Sequence, residues 1–243
     1  MIIAGIALGG LSPAATVFSG LARRLSGRRL VMLDPVVYER TDCADVIERE
    51  LQWLDLQFAD APGAGWPLVG YSAGASLALL YALRRPERVN QLHLLEPPWL
   101  GNAPSQSPAV DLLQRLDGRF VQACASDFLP AFVRSLMADG EHPSMPNNLP
   151  PAEWMRARPP RAVSLWRALR QHPLQVPQLR SLTIPLHLYQ AGRSHPGFAA
   201  HTNCLQAAVP QARSHDWPDA DHFDLPQWAE ATLLSLLSDS ALA

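Results

Sequence analysis

Lysine is absent from this 243-residue chain, in which all twenty basic residues are arginine. That bias points to a GC-rich genome and says nothing about function. Cysteine is scarce too: Cys43, Cys124 and Cys204 are widely separated and form no C-x-x-C pair. Neither a disulfide framework nor a zinc site is indicated, and a reducing cytoplasm is the expected compartment. Net charge is nearly missing, formally −2, so nothing draws the whole chain to nucleic acid or to an anionic membrane. No run approaches the roughly eighteen apolar residues of a membrane span. The apolar start, Met1 to Leu11, lacks the charged flank of a signal peptide and turns at glycines, so it reads as a strand. Four histidines, His187, His195, His201 and His215, match no ligand spacing such as H-E-x-x-H. No metal and no cofactor is therefore expected.

What is present is a core. With 48% hydrophobic residues the chain suffices for one well-buried domain with an insertion. Ile2 to Leu8 is a continuous apolar run of strand length, followed by Gly9-Gly10-Leu11-Ser12-Pro13 and a helical pattern through Phe18, Leu21 and Leu25. Leu30 to Leu33 reads as a second strand, and Cys43 to Phe58 as a helix with Val46, Ile47, Leu51, Leu54 and Phe58 on one period. A third strand and helix run from Trp66 to Leu83, and a fourth strand, Leu92 to Leu95, ends at Glu96-Pro97-Pro98. Successive strand and helix units of this kind predict an α/β fold, a mostly parallel sheet covered on both faces. From about 101 to 180 the strand signal disappears, and helical stretches alternate with proline-rich breaks at His142 to Pro151 and at Pro159-Pro160. This predicts a helical cap, 101–180, inserted into a core of 1–100 and 181–243. Ile184 to Tyr189 and Arg213 to Asp216 resume the strands, with helices from Pro196 to Ala208 and from Leu225 to Leu237.

The chain is organised around Gly70-Tyr71-Ser72-Ala73-Gly74. Glycine and serine are each roughly 7% of residues, so a bare G-x-S-x-G arises by chance in about one chain in ten of this size. Context gives it weight, because a strand precedes it and a helix of small residues follows. A serine at the apex of such a turn needs glycines two residues either side, where a Cβ would collide with the bending backbone.

These residues, with the glycine loop after the first strand and a late histidine before the last helix, resemble the α/β-hydrolase superfamily over nearly the whole chain. The resemblance implies Ser72 as nucleophile and His222, in Ala220-Asp221-His222-Phe223, as general base. It also implies an oxyanion hole made by the N–H of Ala73 and of Gly10 or Leu11. Two departures stand out at the start: Leu8 occupies the place where a histidine often stands, and the leading antiparallel hairpin of the fold is missing.

A third departure concerns the acid. Most relatives carry an aspartate after the strand that follows the cap, but here that loop reads Gly192-Arg193-Ser194-His195-Pro196. No Asp or Glu occurs from Leu174 through His215. Glu96, at the carboxyl end of the fourth strand, occupies the position that carries the acid in some relatives, including thioesterase domains, and is the expected third member. Tyr71, Trp99, Trp154, His195 and Phe223 are the candidate substrate-binding residues, and the cap aromatics predict an apolar acyl or aromatic group. Three readings are compatible with these residues. One is hydrolysis of an ester or thioester of a small apolar acyl group; a second is acyl transfer or cyclisation with the same residues; a third is a non-catalytic small-molecule binder. Between His142 and Arg193 stand seven arginines and one acidic residue. This excess would suit coenzyme A or an acyl carrier protein, and a solvated helical face accounts for it as well.

Overall fold

The computed structural model describes residues 2–39, 45–101, 107–138, 152–172 and 174–239. Six strands, β1 (Ile2–Leu8), β2 (Arg28–Leu33), β3 (Trp66–Tyr71), β4 (Val89–Leu95), β5 (Leu186–Ala191) and β6 (Arg213–Trp217), form one sheet in the order β2-β1-β3-β4-β5-β6. Every pairing is parallel. Continuous apolar runs suit such a sheet because alternate residues serve opposite faces. Leu68 and Leu94 enter one core and Val69 and Leu95 the other.

The helices of the core are α1 (Ala14–Val17), α2 (Ser19–Arg24), α3 (Val46–Gln57) and α4 (Ala73–Arg84). The larger cluster packs Leu51 and Leu54 of α3 and Leu77 and Tyr81 of α4 against one face. The smaller joins Phe18 and Leu21 to Leu233 and Leu237 on the other. The start of the expected helix at Cys43 and the break from His142 to Pro151 lie outside the described residues.

Between β4 and β5 come α5 (Ser107–Phe120), α6 (Phe128–Ser135), α7 (Glu153–Gln171) and α8 (Val176–Leu179). The expected break at Pro159-Pro160 is corrected: α7 runs through both prolines. An interior proline costs a helix about 3 kcal/mol. Buried Ala162, Leu165, Trp166 and Leu169 on the same helix offset that loss by packing into the main core. After β5 come α9 (Pro196–Ala208), then β6, α10 (Leu225–Trp228) and α11 (Glu230–Asp239). The single helix expected over 225–237 is therefore two, separated at Ala229.

The strand order fixes where chemistry can sit. After β2 the chain returns past β1 to lay down β3, so the loops following β1 and β3 diverge to opposite faces and leave a crevice at the carboxyl ends of the strands. The glycine loop borders that crevice from β1 and the serine turn from β3.

Candidate active site

Ser72 is the residue on which β3 becomes α4. Its backbone lies at φ 55° and ψ −127°, a region that costs a non-glycine residue on the order of 1–3 kcal/mol. The turn is held by the Ser72 N–H to Leu95 O (2.9 Å) and by Ala75 N–H to Ser72 O (2.8 Å). A Cβ at Gly70 would stand 2.5 Å from Ala75 Cα, and one at Gly74 would run into the carbonyl oxygens of Leu8 and Gly9. Only glycine fits either place. Gly10 is pressed against the same turn, where a Cβ would meet Ser72 Cβ at 2.9 Å. Among the described residues, the N–H groups of Gly10, Leu11 and Ala73 meet no acceptor. Leu11 and Ala73 line the pocket together with Ser72.

His222 follows β6 in a turn built by Asp221, whose Oδ1 accepts from the N–H groups of Phe223 (2.8 Å) and Asp224 (3.2 Å). Its ring lies between Phe198, at 4.7 Å between centroids, and Tyr71, at 5.0 Å, with Phe223 edge-on at 5.3 Å. Tyr71 also donates its hydroxyl to His222 O (3.0 Å). Burial, reinforced by the Glu96 charge, pushes the Tyr71 phenol well above its ordinary pKa, so it remains a donor.

Glu96 closes β4 with φ 45° and is fully buried. Its Oε2 lies 2.7 Å from His222 Nδ1. A carboxylate only accepts, so Nδ1 is the donor in this bond. The same Oε2 accepts from Ser194 Oγ (2.8 Å), and Oε1 accepts from Ala191 N–H (2.9 Å). Ser194 was not singled out in the sequence. The available signal was a hydroxyl in the one loop that ought to hold an acid and does not.

The pocket over Ser72 is lined mainly by apolar side chains, among them Leu116, Phe120, Phe132, Leu136, Leu165 and Trp166. Three of the cap aromatics are thus at the pocket. Trp99, Trp154, His195, Phe223 and Tyr71 are not among the residues that line it. Trp99 is fully buried, with its carbonyl accepting from Ser76 Oγ (2.9 Å). His195 caps α9, its Nδ1 accepting from Gly197 N–H (3.0 Å), and its Nε2 meets Asp111 of α5 at 2.9 Å. Burial lowers its pKa, and its two contacts join α5 to the start of α9. Tyr38, which does line the pocket, follows β2 in a short turn held by Glu50, whose carboxylate accepts from the N–H groups of Val36 and Val37 (both 2.8 Å).

The arginine excess of the cap is partly spent inside the molecule. Arg158 bonds Asp34 Oδ2 (2.5 Å), approaches Leu11 O (3.5 Å) and covers the Tyr38 ring. Asp34 Oδ1 in turn accepts from Ala14 N–H (2.8 Å). Arg161 bonds Tyr38 O, and Arg170 bonds Asp117, which also receives Trp166 Nε1 (2.7 Å). Arg156, Arg167 and Arg180 remain exposed.

A parallel sheet clothed by helices on both faces, with a strained serine turn at its carboxyl edge, defines an enzyme of the α/β-hydrolase class. The sequence matches the family model of the alpha/beta hydrolase fold over residues 1–227, and the chain belongs to that family. Solved structures of similar fold include an alpha/beta hydrolase from Sphaerobacter thermophilus, 22% identical over 95% of this chain and 91% of that one with a TM-score of 0.67. A carboxylesterase from Bacillus subtilis is 17% identical over 96% and 83%, with a TM-score of 0.65. A thioesterase domain from the curacin biosynthetic pathway is 18% identical over 96% and 90%, with a TM-score of 0.56. Among curated proteins none matches the sequence. Among the described residues no helix is long and apolar enough to cross a membrane, and no group of three His, Cys, Asp or Glu could hold a metal ion.

Proposed function

We propose that the protein is a serine hydrolase that cleaves an ester or thioester of a small apolar acyl group through an acyl-enzyme. The observation that carries this reading is the 2.7 Å contact between His222 Nδ1 and Glu96 Oε2, both buried beside the Ser72 turn. With Nδ1 committed, Nε2 exchanges protons with Ser72. Ser72 Oγ attacks the carbonyl carbon as its proton passes to Nε2. The oxyanion that develops is met by the N–H of Ala73 and of Gly10 or Leu11, each such donor being worth about 10²–10³ in rate. The C–O or C–S bond then breaks, and Nε2 delivers the proton to the leaving alkoxide or thiolate. Water repeats the sequence on the acyl-enzyme: its proton goes to Nε2, the Ser72 ester bond breaks, and Ser72 recovers a proton as the carboxylic acid leaves.

The apolar lining of the pocket supports an acyl portion without charge, since a buried unpaired charge there would go uncompensated. The free thiols of Cys124 and Cys204 suit a reducing compartment such as the cytoplasm. A fluorophosphonate probe should label the native protein and not Ser72→Ala, and a panel of acyl esters and thioesters of graded length should be turned over only by the former. A protein that resists the probe while keeping its fold would instead be a small-molecule binder.

A further inference from the structure

The loop after β5 holds no carboxylate, yet it reaches the candidate acid from the side where relatives place theirs. Ser194 Oγ and His222 Nδ1 share one oxygen of Glu96, at 2.8 and 2.7 Å. The other oxygen is held by Ala191 N–H at 2.9 Å. Ser194 and Glu96 are 4% and 0% exposed, so water does not compete for these bonds. The terminal torsion of a glutamate is broad and roughly two-fold, and left to itself the carboxylate would present either oxygen, at a range of tilts, to the imidazole. Two donors, Ala191 N–H at the end of β5 and Ser194 Oγ in the loop that follows, remove that freedom.

The loop itself is pinned on two sides. Gly192 N–H reaches Trp217 O (2.9 Å) and Arg193 N–H reaches Ala220 O (3.0 Å), which ties it to β6 and to the turn that carries His222. On the other side His195 N–H reaches Leu136 O (2.8 Å) and Ala138 N–H reaches Arg193 O (3.0 Å), and Met137 bridges Ser194. Leu136 lines the pocket.

We propose that Ser194 is a positioning residue for Glu96, its hydroxyl fixing the rotation of the carboxylate and sharing its charge with the His222 N–H, and that the loop carrying it couples the pocket wall of the cap to the acid. The proposal rests on the reading of Ser72, His222 and Glu96 as the reacting set. Both donors reach a single oxygen of Glu96, so the loss of one alters what the other meets.

The test is steady-state kinetics across pH on one activated acyl ester. Ser194→Ala should lower kcat about tenfold or more, as expected for a lost hydrogen bond to a buried charge, while KM stays within about twofold. The acid limb of the pH profile should move upward, because a carboxylate relieved of one donor binds imidazolium more tightly. Ser194→Thr, which keeps the hydroxyl, should restore both. Wild-type kcat and pH profile in Ser194→Ala, beside a crippled Glu96→Gln, would overturn the positioning role and leave the hydrolase reading standing. If Ser72→Ala and Glu96→Gln are also silent, it is the hydrolase reading that fails. Should Ser194→Ala not fold, Ser194→Val and Ser194→Thr decide: a loss in Ser194→Val beside retention in Ser194→Thr supports the proposal, and wild-type kcat and pH profile in Ser194→Val overturn it.

Discussion

His222 and Glu96, 126 residues apart in the chain, meet at 2.7 Å in a buried bond. Strand order brings them together, since β4, β5 and β6 are neighbours and each delivers its following loop to one edge. A neutral amide in place of the carboxylate would keep the shape and reverse the hydrogen-bond logic, allowing the wrong imidazole tautomer. Glu96→Gln should therefore lower kcat roughly a thousandfold or more. Asp221→Asn, whose Oδ1 accepts from the N–H groups of Phe223 and Asp224, should stay within about tenfold. The reverse ranking in ester kinetics would move the acid to Asp221.

Ala162 lines the pocket and is 4% exposed. Ala162→Phe should fill part of it. Since a methylene in an apolar pocket is worth about 1–3 kcal/mol, long acyl esters should lose on the order of tenfold or more while an acetyl ester loses little. Equal losses for all chain lengths, in a variant with an unchanged thermal melt, would place the acyl group elsewhere.

Arg158 links α7 to Asp34 and to the glycine loop, so its substitution should not be selective. Arg158→Glu should weaken turnover of a neutral ester and of a coenzyme A thioester alike. Arg156→Glu, at an exposed position, should lower only the thioester rate, and that rate alone should fall with added salt. If salt affects both substrates equally, no anionic carrier is recognised.

Burial holds three histidines neutral: His93 well below the ordinary 6.5, and His187 and His201 at about 4. The unfolded chain takes up their protons first on acidification, so their contribution is present above about pH 6.5 and is lost as pH falls toward 4. Burial also raises Glu50, from 4.5 to about 7. That group works in the opposite sense, its contribution being full below about 4.5 and lost as pH rises through 7. Burial also lowers His172, His195 and His215 and raises Asp224, so six imidazoles against two carboxyls give the net sign. Thermal melts should show Tm falling between pH 7 and pH 5, with a shallower slope in His201→Gln. A Tm that rises on acidification would mean that Glu50 dominates.

The sheet was legible in the sequence because its strands are apolar runs, and the serine turn because its glycines answer a steric need that Ala75 and Gly9 make visible in space. Helix α9 begins and ends where Pro196 and Ala208 suggest. Glu96 could be singled out only by noticing where carboxylates are missing. The pocket was less legible. Trp99 and Trp154 are aromatic residues of the kind that line acyl pockets, but packing decides which aromatic faces the cavity, and composition carries no such direction. Leu116, Leu165 and Leu169 line the pocket while looking like ordinary core leucines. Ser194 and Arg158 act through partners 98 and 124 residues away, a separation that no local pattern reports.

Helix α7 has a seam. Pro159 and Pro160 bring no N–H, so the carbonyls of Met155 and Arg156 lose the partners that would stitch one turn to the next. On one side of the seam Arg158 clings to Asp34 by charge; on the other Leu165, Trp166 and Leu169 are held by apolar cohesion. The halves therefore answer to different disturbances. Cooling or urea slackens the second, whereas loss of the Asp34 charge unfastens the first. A single helix is thus fastened in two ways, by charge where it rests on the glycine loop and by packing where it walls the pocket.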